Sequence, residues 1–268
     1  MADGAFRLVR GTAPLLVSMP HVGTAIPSDV AAGMAPIAAR LDDTDWHLET
    51  LHDFLGELGA SVLVPEASRY VVDLNRDPDG RSLYPGQDTT ALCPVDTFER
   101  EPLYREGRAP DGAEIARRVA TWWRPYHAAL AGELDRLRAE HGSVLLWDAH
   151  SIRSVVPRFF DGVLPDLNIG TARGAACAPG LCERLLAVAA RHPSVTAVLD
   201  GRFVGGHITR TYGRPAAGVH AVQLELVQRT YMHESPPWAF APERAAAIRP
   251  VLRDLVETAL AHVRRLGR

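Results

Sequence analysis

Hydrophobic and polar positions along this chain follow two alternating rhythms. Short, nearly continuous apolar runs predict buried strands at residues 15–19, 61–65, 70–74, 144–148, 195–199 and 219–227. Longer stretches with apolar residues three and four apart predict helices over 45–58, 112–141, 177–191 and 243–266. Pro125 predicts a break or kink in the second of these, because proline cannot donate the helical hydrogen bond. In the first, Leu51, Phe54, Leu55 and Leu58 share a face, and Asp42, Asp43 and Asp45 crowd the start. Carboxylates there suit the helix dipole and cap free amides. The alternation of strands and helices predicts an α/β architecture.

The rhythm breaks over residues 75–110 into Gly, Pro and polar residues (RDPDGRSLYPGQDTTALCP), and again over 154–176. Loops of that length inside a compact domain are usually functional insertions or lids. No linker, repeat or low-complexity tract divides the chain, so residues 1–268 read as a single domain.

Composition narrows the chemistry. At 268 residues, 47% hydrophobic and 23% charged, the chain can bury a sizeable core without disulfide or metal staples, and disorder is excluded. All 29 basic residues are Arg and none is Lys. That removes every mechanism needing an ammonium group, including the phosphate-loop lysine and Schiff-base catalysis. Guanidinium remains, and it grips carboxylates with a two-pronged fork. A net charge of -3 and a pI near 6.4 argue against general nucleic-acid binding. Cys93, Cys177 and Cys182 form no paired framework, as expected in a reducing compartment, and Cys177 and Cys182 lack the second pair a structural zinc would need. With no long apolar stretch at the N-terminus or elsewhere, the expected location is the cytoplasm, without membrane association.

In open α/β sheets, ligands bind outside the carboxyl ends of the strands. Four segments place polar residues there. PLLVSMPH ends in His21, RYVVDLNR ends in Asn75 and Arg76, VLLWDAHS carries His150, and VHAVQLELVQR carries Glu225 within a strand. Two imidazoles, an amide, a guanidinium and a carboxylate are the components of a mononuclear zinc hydrolase. A catalytic zinc needs three protein ligands and an open position, and no HExxH helix is present. The third ligand must come from a separate segment, and Asp45 in DDTDWH is the first choice over Asp43 and Glu49.

Taken singly, each residue has a plainer explanation. One His after a strand is usually structural, Asp45 is a helix cap, and Arg76 is a surface ion-pair residue. Glu225 differs, because an unpaired carboxylate among apolar strand residues is costly. It is their joint placement that favours chemistry. His52, His127, His141, His192, His233 and His262 read as solvated, and His47 as structural or supporting. GRFVGGHITRTYGRP combines paired glycines with Arg202, His207, Arg210, Tyr212 and Arg214, and reads equally as a substrate-embracing loop or an Arg-rimmed hairpin.

The segments SMPHVGTAIP, DDTDWH, SRYVVDLNR, SLYPGQ, LWDAHSIRS, GRFVGGHITRTYGRP and GVHAVQLELVQRTYM together resemble the N-formylglutamate amidohydrolase (deformylase) family, in order from about residue 15 to 232. The resemblance implies hydrolysis of N-formyl-L-glutamate to formate and glutamate, the last step of one bacterial histidine-degradation route. It also implies a fold similar to zinc carboxypeptidases and aspartoacylases, three α/β/α layers around a mixed, mostly parallel sheet. In those relatives a His after the first strand, a carboxylate and a His in a D-x-H-S context hold zinc, which implies one Zn2+ per chain on His21 and His150. The relatives place a Glu three residues after the first His, where this chain has Thr24, so Asp45 is kept as third ligand. By the same resemblance Asn75 and Arg76 hold a substrate carboxylate, Arg69 assists and Glu225 is the general base. Glutamate has two carboxylates, so a second Arg is expected among Arg210, Arg153 and Arg202. The alternatives are hydrolysis of another N-acyl amino acid or a short acidic peptide, or a non-catalytic carboxylate-binding protein that would have no use for Glu225.

Overall fold

The computed structural model describes residues 4–81 and 86–267; Ser82, Leu83, Tyr84 and Pro85 of the SLYPGQ segment lie outside the described residues. Seven strands form one sheet: β1 Phe6–Val9, β2 Leu15–Ser18, β3 Ser61–Pro65, β4 Val144–Ile152, β5 Leu167–Gly170, β6 Ala197–Leu199 and β7 Val219–Val227. Their order across the sheet is β1-β3-β2-β4-β7-β5-β6. The pairs β2/β3, β2/β4, β4/β7 and β5/β6 are parallel, while β1/β3 and β5/β7 are antiparallel. The sheet is therefore mixed and mostly parallel.

The helices are α1 Ser28–Ala31, α2 Leu48–Leu51, α3 Gly112–Arg118, α4 Arg124–His141, α5 Leu181–Ala190, α6 His207–Tyr212 and α7 Pro242–Leu266. Alternate strand residues divide between the two faces. Leu16, Leu146 and Ala221 pack with Tyr126, Leu130, Leu134 and Leu137 of α4. Leu15, Val17, Leu145, Trp147, Val222 and Leu224 pack with the apolar stripes of α5 and α7. Coverage on both faces gives three layers and explains why β4 and β7 read as continuous apolar runs. Among the described residues, no helix is long and apolar enough to cross a membrane.

Several elements depart from the pattern-based expectation. Residues 70–74 are apolar but irregular: Asp73 N–H donates to Leu92 O, and the Val71 carbonyl is taken by Arg118. Their apolarity reflects burial between clusters rather than a ladder. The helix expected over 45–58 shrinks to α2 and a short 3-10 turn, because His47 adopts a left-handed conformation at φ 62° and His52 leaves helical geometry. At Pro125 the expected break takes the form of a π-helical turn, Val119–Trp123, between α3 and α4. The edge strand β1 and the four-residue β5 are too short to stand out as apolar runs. His52, His127 and His262 are buried, not solvated as expected, because each sits on the inward side of its element.

Along β4 and β7, the row that begins with Leu146 and Ala221 turns polar toward the carboxyl ends, as Asp148, His150, Gln223 and Glu225. His150 and Glu225 are register partners across this parallel pair, so both side chains emerge on the same face.

Candidate metal centre and substrate cleft

His21 follows β2, and its carbonyl accepts the Asp45 amide at 3.0 Å, which ties two distant segments together. Around that bond the three expected ligands converge. His150 Nδ1 lies 3.1 Å from His21 Nδ1 and 3.3 Å from Asp45 Oδ2, and His21 Nδ1 lies 3.7 Å from the same oxygen. All three residues are buried, and their candidate ligand atoms lie within 4.8 Å of one another. Among the described residues, this is the group of His, Cys, Asp and Glu with that geometry.

The donor set fits a divalent cation. Asp45 Oδ2 is buried, yet no hydrogen-bond geometry satisfies it despite the approach of His150. Leaving a buried carboxylate oxygen without a partner is costly, and a cation between the three groups removes that cost. The outer ring nitrogens are already engaged. His21 Nε2 donates to Asp73 Oδ1 at 2.7 Å, while Asp148 Oδ1 lies 3.3 Å and the Asn75 amide 2.9 Å from His150 Nε2. Carboxylates behind metal-binding imidazoles fix the tautomer and turn the other nitrogen's lone pair inward.

Electrostatics agree. Burial alone would raise the Asp45 carboxyl, but the two imidazoles beside it hold it well below the usual carboxylate range. Burial likewise opposes charge on His150, yet Asp148 and Asp45 hold its pKa well above the usual imidazole value. The pocket thus attracts positive charge. Glu225 behaves differently: burial pushes its carboxyl up to about 8, against the opposing pull of His150 and Arg69. It is a carboxylate poised to hold or release a proton near neutrality, and a neighbouring cation would draw it downward.

Above these residues opens a narrow, partly open cleft with about 60 Å³ of free volume. His21, His150 and Glu225 line it together with Asn75, Arg69, Arg76, Arg202 and the edge-to-face pair Phe98 and Phe159. Arg69 is buried, pairs with Asp73 at 2.7 Å and sits over the Phe98 ring. Arg76 is braced by the carbonyl and hydroxyl oxygens of Thr90 at 3.1 and 3.0 Å. Arg202 donates to the carbonyls of Phe159 and Asp88.

The remaining candidates fall elsewhere. Arg153 pairs with Glu99 at 2.9 Å, and exposed Arg210 donates to Gly205 O; neither lines the cleft. Asp43 accepts from Tyr70 Oη and the Phe98 amide, and Glu49 pairs with Arg7 at the surface, so neither rival of Asp45 joins the ligand group. His47 donates to Trp238 O and is structural. Asp73 and Asp148 lie outside the residues that the strand-end pattern predicts. The sequence marks them only as a carboxylate two residues before a polar strand-end residue, in DLN and DAH.

Close packing holds Asn75 in place. A Cβ on Gly206 would come within 2.4 Å of Asn75 Nδ2, whose amide oxygen accepts from Ile208 N at 2.8 Å. Gly206→Ala should therefore displace the Asn75 amide and lower kcat/KM by roughly tenfold or more, since small misplacements at an active site are expensive. Unchanged kinetics in this variant would remove Asn75 from the site.

Comparison with known proteins points the same way. A sequence model of the family described as N-formylglutamate amidohydrolase matches residues 13–232. The N-formylglutamate deformylases of Pseudomonas aeruginosa and Pseudomonas putida are 54% and 52% identical over 259 residues, covering 97% of this chain and of each of theirs. The crystal structure of N-formylglutamate amidohydrolase from Ralstonia eutropha JMP134 superposes with a TM-score of 0.77 at 26% identity, over 96% of both chains. The chain belongs to the N-formylglutamate amidohydrolase family.

Proposed function

We propose that this chain hydrolyses N-formyl-L-glutamate to formate and L-glutamate, with one Zn2+ per chain held by His21, Asp45 and His150. The observation that carries the reading is the meeting of two imidazole nitrogens and an unsatisfied carboxylate oxygen beside Glu225, at the foot of an Arg-lined cleft. The same ligands accept Co2+ or Mn2+, so metal analysis of the purified protein belongs with the first assay.

Zinc bound there supplies Lewis acidity, polarising a carbonyl and making water acidic enough to attack at neutral pH. Glu225 accepts the proton of the water that attacks the formyl carbon. As the carbon–nitrogen bond breaks, it passes that proton to the leaving nitrogen, which departs as the amine of glutamate. Arg69, fixed by Asp73, offers N–H groups to the oxygen on which negative charge develops. Arg76 and Asn75 hold one glutamate carboxylate and fix a flexible substrate in place. Arg202 takes the second, because it lines the cleft whereas Arg153 and Arg210 do not.

Formate release from N-formylglutamate, measured against deacylation of N-acetylglutamate and N-acetylaspartate, tests this reading. The formyl substrate should be strongly preferred. Binding of glutamate without turnover of any of the three would replace the enzyme with a carboxylate-binding protein. In the same assay Arg76→Lys should lose roughly ten- to a hundredfold in kcat/KM although charge is kept, since one ammonium cannot reproduce a two-pronged grip. A Lys variant with wild-type kinetics would exclude Arg76 as the carboxylate anchor.

A further inference from the structure

The segment 71–76 carries Asp73, which orients His21, and Asn75 and Arg76, which line the cleft. It is neither helix nor strand, so its carbonyls have no ladder partners. Buried carbonyls must be satisfied somewhere. Asp73 O accepts from the Arg76 amide and Asn75 O from the His207 amide, while the carbonyls of Val71, Leu74 and Arg76 are met from one column of helix. Arg118 on α3 donates to Val71 O at 3.1 Å. His127 Nε2 on α4 donates to Leu74 O at 2.8 Å. Trp123 Nε1, at the end of the π-helical turn, donates to Arg76 O at 3.1 Å.

Two of these donors brace each other. The Trp123 and His127 rings stack with centroids 3.7 Å apart and planes 16° apart. Tyr212 Oη donates to His127 Nδ1 at 2.9 Å, which leaves the Nε2 proton for Leu74. Burial keeps that imidazole neutral, pushing it down to about 3, so the arrangement needs no titration to form. The π-helical turn has a part in this. It inserts an extra residue between Arg118 and Trp123, so that α3 can present Arg118 to Val71 while α4 aims Trp123 and His127 further along the same segment. None of these side chains reaches the cleft lining.

We infer that Trp123 and His127 are positioning residues that set the aim of Arg76 and Asn75, with the π-helical turn as the device that brings them to the segment. The inference rests on the reading of Arg76 as a substrate-carboxylate anchor. Trp123→Phe tests it, because phenylalanine keeps an aromatic ring beside His127 while removing the N–H that holds Arg76 O. The expected result is a rise of roughly three- to tenfold in KM for N-formylglutamate, the usual worth of one such hydrogen bond, with metal content and kcat close to wild type. The neighbouring Trp122→Phe, which trims an indole with no bond to the segment, should leave KM unchanged.

A double-mutant cycle separates this inference from the reading beneath it. If Trp123 acts through Arg76, then Trp123→Phe should change kcat/KM by less than about twofold in an Arg76→Lys background. A severe Arg76→Lys defect with a silent Trp123→Phe would overturn the positioning role and leave the anchor standing. The positioning role also falls if Trp123→Phe costs as much in the Arg76→Lys background as alone, or if it lowers melting temperature without moving KM. A silent Arg76→Lys would instead overturn the anchor, and the positioning role with it.

Discussion

Glu225→Gln should lower kcat for formate release by roughly two to four orders of magnitude while zinc stays bound, the usual worth of general acid–base catalysis. Gln matches Glu in size and keeps one acceptor, but it cannot take and relay a proton. The ligand group does not include Glu225, so the metal should survive the change. Nor should the melting temperature fall, because burial already disfavours the Glu225 charge, raising its carboxyl to about 8, and an amide needs no charge to be desolvated. KM should move little, since the proposed carboxylate grip lies with Arg76 and Asn75 rather than with Glu225. Lost zinc would make Glu225 a ligand, and lowered stability with intact turnover would make it structural. Either result ends the mechanism given above.

Asp45→Asn should release the metal. The amide is close in shape but loses the negative charge that the site presents between two imidazoles. Purified variant should hold well under one zinc per chain, and turnover should fall by roughly three orders of magnitude or more, the scale of a Lewis acid worth several kcal/mol. Stability gives an independent reading. A ligand bound only by the folded state raises the melting temperature, so a chelator should destabilise the wild type and leave Asp45→Asn unmoved. Asp43→Asn is the matched control. Its carboxylate holds Tyr70 and the Phe98 amide, so that variant should lose stability but keep its zinc. The reverse pattern would move the third ligand to Asp43.

The central strands and the convergence of His21 and His150 were legible in the sequence for one reason: strand ends mark the cleft of an α/β fold. His21, His150 and Glu225 each interrupt or close an apolar run, and Asp45 crowds a helix start close by. The partners behind them were harder to read. Asp73 and Asp148 sit inside the runs VVDL and LLWDAH, where a single carboxylate does not announce which ring it will meet. The choice among arginines was not legible either. Arg202 reaches the cleft, while Arg153 turns to Glu99 and Arg210 to Gly205, and those directions are set by contacts that no hydrophobic pattern records. His127 shows the same gap: an amphipathic helix gives its position, but only the tertiary meeting with Leu74 and Tyr212 makes it a buried donor.

The proposed chemistry depends above all on a metal held by His21, Asp45 and His150, and anomalous diffraction across the zinc edge tests that most directly. A crystal of active, unchelated protein should give one peak per chain, about 2.0–2.2 Å from a nitrogen of each imidazole and from an Asp45 oxygen. A protein that turns over N-formylglutamate with no peak there, or with the peak on other residues, would contradict this metal centre.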